Sequence, residues 1–143
     1  MEKNYMNAQF LNYEAYEELI ACIGKKTQDP DPDVAEEAQE DLEFLRKNVN
    51  NCLDYVHTVD TAETRIKTAR FRYEAAEYQD IVMNLDRARR VMHEGAIASV
   101  AIINRTARIY GTPKIFIGNA EDRLQIADFC LEISVEIFDR RSK

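Results

Sequence analysis

The chain has 143 residues, with 26 Asp and Glu against 19 Lys and Arg, and its formal net charge at pH 7 is −7. Residues 1–143 fit one domain, and a domain of this size buries about 68% of the surface that its unfolded chain exposes, enough for a core without a metal or a disulfide. The acidic balance argues against a nucleic-acid partner, because phosphates are repelled at distance. The three cysteines lack CxxC or Cys/His spacing, which argues against a zinc site and a disulfide framework.

The N-terminal residues and the lengths of the apolar runs indicate the cellular compartment. No apolar run approaches the roughly 20 residues that a membrane span requires. Residues 1–5 lead into an amphipathic helical pattern rather than an apolar signal segment. Free thiols on apolar helical stripes are typical of a reducing environment. We therefore expect a soluble cytoplasmic protein that makes no membrane contact.

The first helical pattern runs from Met6 to Ile23, where apolar residues recur at steps of three and four. Gly24 predicts the end of this helix. Two prolines then forbid its continuation. Asp31 as an N-cap and Pro32 as the first helical residue predict the start of the next helix.

The second helix has the most regular pattern, with apolar residues at alternating steps of three and four from Ala35 to Val59. Such a seam is typical of antiparallel bundles and coiled coils, and it predicts a helix of roughly 40 Å. The sequence Asp60-Thr61-Ala62-Glu63 has the form of a capping box. It predicts a tight turn and a third helix that starts here.

Residues 61–110 contain one glycine and no proline. An unbroken helix of that length would span roughly 75 Å, too long for a compact domain of this size. We therefore place a break between Glu77 and Asn84. The helix that follows ends at Gly111, a favourable residue just past a helix.

The last part of the chain begins with Lys114-Ile115-Phe116-Ile117-Gly118, which is short, apolar and β-prone. A lone strand has no partner here, so we expect an extended strap over the bundle end. Asn119, followed three residues later by Asp122, predicts the cap of the last helix. Together these patterns predict an all-α fold: a single-domain antiparallel helical bundle of about five helices, with a short extended segment before the last helix.

Charge is distributed unevenly along the chain. Residues 1–60 contain 5 Lys and Arg against 14 Asp and Glu, whereas residues 61–110 contain 9 against 6. We expect the two regions to pack partly against each other through opposite charge. The stretch Arg65–Tyr73 mixes cations with aromatic rings, as single-strand binders do. Pairing of this solvated face with the acidic second helix is the simpler interpretation.

The candidate ligand site surrounds residues 95–103, which carry no charge and predict a central helix covered on all sides. Basic groups lie at both ends of this segment. Arginine guanidinium groups and a histidine that face one cavity of the bundle could bind a phosphate or a carboxylate. A structural network that fixes the helix register is the alternative. The candidate ligand-binding residues are Arg89, Arg90, His93, Asn104 and Arg105.

Two acidic patterns were considered as metal sites. Asp54 and His57 have the i, i+3 spacing of bundle metal sites, but the second copy that a di-iron site needs is missing, because Arg90 stands three residues before His93. Three further carboxylates resemble the E-x-x-E and E-x-x-D elements of all-helical nucleotide pyrophosphatases, where such residues from two helices hold magnesium. Their separation from a companion pair does not match that family, so we expect no metal and no other cofactor. These carboxylates are Glu74, Glu77 and Asp80, and the companion pairs are Glu40 with Glu43 and Glu14 with Glu17.

The C-terminal half carries an extended string, D-x-x-R-R-x-x-H with N-R eleven residues after the histidine. With this string the chain resembles a small bacterial family of unknown function. The resemblance implies a compact helical bundle in the bacterial cytosol, and it implies no activity, substrate or partner. The residues that match it are Asp86, Arg89, Arg90, His93, Asn104, Arg105 and Arg123.

The sequence contains no nucleophile motif, Gly-rich loop or complete metal set. We therefore predict a non-enzymatic helical bundle that acts through protein–protein contacts, or through self-association by the seam of the second helix. The alternative is a helical bundle that binds an anionic small molecule carrying a phosphate, or hydrolyses nucleotides with magnesium. It would use the arginine, histidine and asparagine candidates together with the three carboxylates.

Overall fold

The computed structural model describes residues 9–141, with side chains described up to residue 137. Four helices follow in chain order: α1 (Tyr13–Lys26), α2 (Pro32–Arg72), α3 (Ala75–Ile109) and α4 (Arg123–Arg141). The predicted all-α class is confirmed, with four helices in this part of the chain rather than about five. None of these four helices is long and apolar enough to cross a membrane. Met6, where the first predicted pattern begins, lies outside the described residues.

The start of α2 follows the sequence prediction. The side chain of Asp31 accepts a hydrogen bond from the N–H of Asp33, and Pro32 is the first helical residue. α1 instead ends at Lys26, two residues after the predicted end at Gly24. The helix continues through this glycine because Gly24 does not adopt the positive φ of a helix-ending residue.

α2 is one continuous helix of 41 residues, about 60 Å long, so the third helix predicted to start at Asp60 is wrong. The capping-box residues stay helical because the buried seam of α2 continues past them, through Ala62 and Ala69. The chain turns at residues 73–74 rather than between residues 77 and 84. α3 is then unbroken for 35 residues.

α2 and α3 form a long antiparallel hairpin, in which each helix packs along the other. α1 packs on α2, and α4 packs on both arms of the hairpin. The hydrophobic core lies where these shorter helices cover the hairpin, and its members fall within residues 10–59 and 92–137. Side-chain pairs that join the two arms are Asp41 with Tyr110, Asn51 with Ser99, Tyr55 with His93, and Glu63 with Arg89.

The part of the hairpin beyond this core, residues 60–91, is named the distal hairpin. Ala62 and Ala69 are its only buried residues. The seam of α2 that precedes it, predicted to self-associate, is used inside the chain instead. Its members buried in the core are Ala38, Leu42, Leu45, Val49 and Cys52.

The uncharged stretch 95–103 is covered on one side only, whereas the sequence pattern predicts a helix covered on all sides. The exposed side costs little free energy because its residues are the smallest available and leave little apolar area in water. The buried members are Ala96, Ser99, Val100 and Ile103, and the exposed ones include Gly95, Ala98 and Ala101.

Gly111 ends α3 as predicted, with a φ of 72°. The N–H of Thr112 donates to the carbonyl of Ala107 at 2.9 Å, and the N–H of Gly111 donates to the carbonyl of Arg108 at 3.1 Å. This pair of bonds is a Schellman motif, which requires a residue that tolerates positive φ.

The predicted strap is observed at Ile115 and Phe116, which are buried, and it has a backbone partner that the sequence did not indicate. Phe116 forms an antiparallel bridge with Leu11. The buried carboxylate of Glu132, on α4, accepts hydrogen bonds from the N–H groups of Phe10 and Leu11 at 3.0 and 2.9 Å. The two extended segments are thereby held against α4.

α4 is capped by Asp122 rather than by the predicted Asn119. Oδ1 of Asp122 accepts hydrogen bonds from the N–H groups of Leu124 and Gln125, at 2.9 and 3.3 Å. Asn119 accepts a bond from the N–H of Glu121 instead. It therefore stabilises the turn that leads into the helix.

Candidate functional site

His93 lies on α3 and contacts Tyr55 of α2. The Tyr55 hydroxyl is 2.7 Å from His93 Nδ1, and the two rings meet edge to face with 5.4 Å between their centroids. Within the described residues, the buried His93 Nε2 has no hydrogen-bond partner. Burial, reinforced by the positive charge of Arg123, lowers the pKa of His93 from its ordinary value of 6.5. The imidazole is therefore neutral at pH 7 and offers no cation to a ligand.

A cavity of about 300 Å³ beside this histidine is lined by Asp86, Arg89, Arg90 and His93. The structure thus brings three of the predicted ligand residues together. Arg89 is hydrogen-bonded to Asp86 and lies 3.9 Å from a carboxylate oxygen of Glu63. Both carboxylates therefore contact Arg89, whereas Arg90 is exposed and has no ion-pair partner among the described residues. The contacts of Arg89 favour an internal network that holds α2 to α3.

Asn104, the fourth predicted ligand residue, lies elsewhere, about 16 Å along α3 from His93. Its Oδ1 accepts hydrogen bonds from the N–H groups of Ile115 and Phe116, at 3.0 and 2.9 Å. Its Nδ2 donates to the carbonyl of Phe116 at 2.8 Å. The Asn104 amide therefore holds the strap to α3.

Arg105, the fifth predicted residue, lines a second cleft of about 630 Å³ together with Asn104. The other charged residues that line it are Arg108, on the next turn of α3, and Lys114, just after the turn at Gly111. Among the described residues, no carboxylate lines this cleft. The sequence interpretation missed Lys114, although cations on both sides of a Gly-Thr-Pro helix stop were a signal that could have identified it.

The two metal candidates remain incomplete within the described part of the chain. Asp54 and His57 are exposed on α2. Glu77 lies beside the tip of the hairpin and Glu40 near the opposite end of α2, so the carboxylate pairs are separated by roughly 45 Å along the helix axis. Among the described residues, no group of three His, Cys, Asp or Glu side chains could hold a metal ion.

The expected pairing of the acidic first 60 residues with the basic middle of the chain is not formed by ion pairs in the described residues. The ion pairs present there join Arg89 to Glu63 and Asp86, and Arg123 to Glu94. The antiparallel hairpin explains the difference for the basic residues 65–72, which lie at the opposite end from the acidic start of α2. Arg105 and Arg108, at the end of α3, lie on the acidic side of the molecule and form no ion pair in the described residues.

The distal hairpin presents large apolar side chains to solvent. Phe71 is 86% exposed, and Tyr73 and Met83 are also exposed. Ala69, Tyr73 and Ile81 contribute to a groove of about 440 Å³ between the two arms. Exposed apolar side chains grouped beside a groove are typical of contact surfaces between proteins.

A family model described as a protein of unknown function, DUF3232, matches residues 29–143. The chain belongs to this family. The match covers most of the chain, so it extends beyond the C-terminal half on which the sequence resemblance rested. No curated protein and no solved structure matches the chain.

Proposed function

We propose that this DUF3232 protein acts without catalysis, by self-association through the distal hairpin. One observation carries the proposal. Among residues 60–91, the buried residues are Ala62 and Ala69, whereas Phe71 is 86% exposed. A helix pair that fully buries only two alanines leaves its larger apolar side chains half-buried or exposed.

The energetics of such a pair favour a covering partner. Helices in proteins are stabilised mainly by the packing of an apolar face, and full burial of a side chain such as phenylalanine contributes about 1.5–3 kcal/mol. Phe71, Tyr73 and Met83 offer this area on the distal hairpin. Burial of each of these side chains against a partner would stabilise the complex.

Charge supports a second copy of the chain as the partner. The basic residues 65–72 of α2 and the acidic residues 74–80 of α3 lie on either side of the same tip, and no described ion pair joins them. In a two-fold dimer the same surface meets itself. The basic arm of one copy then faces the acidic arm of the other, and opposite charges meet on both sides of the axis.

Shape supports the same partner. Phe71 is exposed and lies in sequence between Ala69 and Tyr73, which line a groove together with Ile81. A projecting ring and a groove on one surface are self-complementary, because each copy supplies a ring to the groove of the other. The contact is then closed and stops at a dimer.

The test is the concentration dependence of molecular mass, measured by sedimentation equilibrium. We expect a reversible dimer, and Phe71→Ala should raise its Kd by about tenfold or more, since loss of a buried ring removes more than 1.4 kcal/mol. The matched control is Leu124→Ala, because Leu124 on α4 is 77% exposed and lies outside the distal hairpin. It should leave the Kd unchanged.

Two results would contradict self-association. One is a monomer at all concentrations up to about 1 mM, which corresponds to a binding free energy weaker than about 4 kcal/mol. The other is a dimer that Phe71→Ala and Leu124→Ala weaken equally. That result would place the contact outside the distal hairpin.

A further inference from the structure

The cleft at the end of α3 gathers three cations. Arg105 and Arg108 lie one turn apart on α3, and Lys114 joins them after the turn at Gly111. All three are exposed, and none has an ion-pair partner in the described residues. A cluster of unpaired cations is unexpected in a chain with a net charge of −7.

The cluster is unfavourable for the protein alone. Like charges one turn apart on a helix repel each other, and Lys114 adds a third charge to Arg105 and Arg108. An anion in the cleft removes this repulsion.

Attraction of the three cations to the C-terminus of α3 accounts for only part of their clustering. The C-terminus of a helix carries about half a negative charge, which is less than three cations require. Its carbonyls also have other partners, because Gly111 and Thr112 donate to the carbonyls of Arg108 and Ala107. The cations are therefore free to bind a group from solution.

We propose that this cleft binds the phosphate group of a small ligand. Two guanidinium forks match the oxygens of a phosphate in pairs, and an ammonium group adds a third point charge. The cleft of about 630 Å³ is larger than a phosphate needs. Ala101, Pro113 and Ala120 line the remaining wall and suit the apolar part of an attached organic group.

This site is independent of the proposed self-association, because it lies at the end of the hairpin opposite to the tip. It is also separate from the cavity beside His93. There the carboxylates of Asp86 and Glu63 contact Arg89, whereas the described residues that line the cleft at the end of α3 include no carboxylate. Variants at the two places therefore distinguish the sites.

The test is isothermal titration of the full chain at low salt with inorganic phosphate, glucose 6-phosphate and AMP, and with chloride at matched ionic strength. We expect at least one of the phosphate compounds to bind saturably, with one molecule bound per chain. If several compounds bind, they should compete with one another. The double variant Arg105→Gln/Arg108→Gln should weaken binding at least tenfold. Arg90→Gln, an exposed arginine on the same helix that lines the other cavity, should not change it.

The outcomes separate the sources of the phosphate. Equal affinity for inorganic phosphate and for the organic phosphates means that the cations recognise the phosphate alone, and tighter binding of an organic phosphate means that the apolar wall contributes. Both support the proposal. Absence of binding, an equal response to chloride, or unchanged affinity in a folded double variant would overturn it, with folding checked by circular dichroism.

Discussion

Asn104 shows how one side chain can determine the path of a distant segment. Its amide makes three hydrogen bonds to Ile115 and Phe116, and both of these residues are buried. The backbone N–H groups there have no strand on that side to satisfy them. Asn104 therefore supplies the hydrogen bonds that a neighbouring strand would make. Without them, the cost of burying unpaired backbone groups would destabilise the strap.

Asn104→Ala tests this role. The substitution leaves two buried N–H groups and one carbonyl without their partner, and an unsatisfied buried group costs about 1–3 kcal/mol. We expect the free energy of unfolding to fall by about 2–4 kcal/mol, measured by urea titration. The control is Asn50→Ala, on the exposed face of α2, which should change it by less than about 0.5 kcal/mol. Similar small effects of both variants would contradict the role.

His93 is the second instructive residue, because its partner Tyr55 lies on α2 and no sequence pattern pairs the two residues. The hydroxyl of Tyr55 contacts Nδ1, and burial lowers the pKa of the imidazole. The histidine therefore acts as a neutral group that links two helices. A sequence pattern cannot supply this information, because the partner is 38 residues away.

At the scale of the element, α2 shows how a correct local signal can be overruled. Asp60 and Glu63 have the spacing of a capping box, but both are exposed and suit the solvent face of a continuous helix equally well. Ala62 between them is buried. Packing of this residue along α3 keeps the backbone helical, because a turn would remove it from the seam.

Thr61→Pro distinguishes a continuous α2 from a helix that restarts at Asp60. Proline is tolerated at the first position of a helix, so a restart would accept it with little change. Within a continuous helix it removes a hydrogen bond and clashes with the preceding turn, at a cost of about 3 kcal/mol or more. We expect this larger loss of stability, with part of the helical signal, in urea unfolding followed by circular dichroism.

The control is Thr61→Ala, which removes the same side chain and keeps the N–H group. Because alanine has the highest helix propensity, it should leave stability unchanged or raise it by a few tenths of a kcal/mol. A proline variant as stable as the alanine variant would show that α2 has a turn at this position.

At the scale of the whole molecule, stability is unevenly distributed along the hairpin. α1, α4 and the two extended segments cover the part near the chain ends, and the core residues lie there. The distal hairpin is covered by no other described element, and two alanines are its buried residues. It is therefore the part of the described chain that opens most easily and that gains most from a partner.

Hydrogen exchange measures this difference. At protein concentrations below the Kd for self-association, we expect amides in residues 60–91 to exchange faster than those in residues 96–107, because local opening there exposes little apolar area. Raising the concentration should slow exchange in residues 60–91 and leave residues 96–107 unchanged, since binding to a second copy stabilises only the contact surface. Equal protection of both segments at low concentration would contradict the uneven distribution.

Features that depend on neighbours along the chain can be predicted from the amino-acid sequence alone. The helical class follows from apolar spacing, and the start of α2 at Pro32 and the end of α3 at Gly111 follow from capping chemistry. The extended strap near Ile115 follows from a short stretch of apolar, β-prone residues. Each of these signals acts within a few residues, where the physical preference is local.

Contacts between segments that are distant in sequence could not be predicted and are known from the packing of the helices. The length of α2, the partner of the strap and the division of the five candidate residues between two clefts depend on packing across the hairpin. Asn104 could bind a ligand or hold a segment by the same amide, and Glu132 shows no pattern that predicts its two backbone partners. Contacts between residues far apart in sequence are selected by the burial of the whole surface, which no local pattern records.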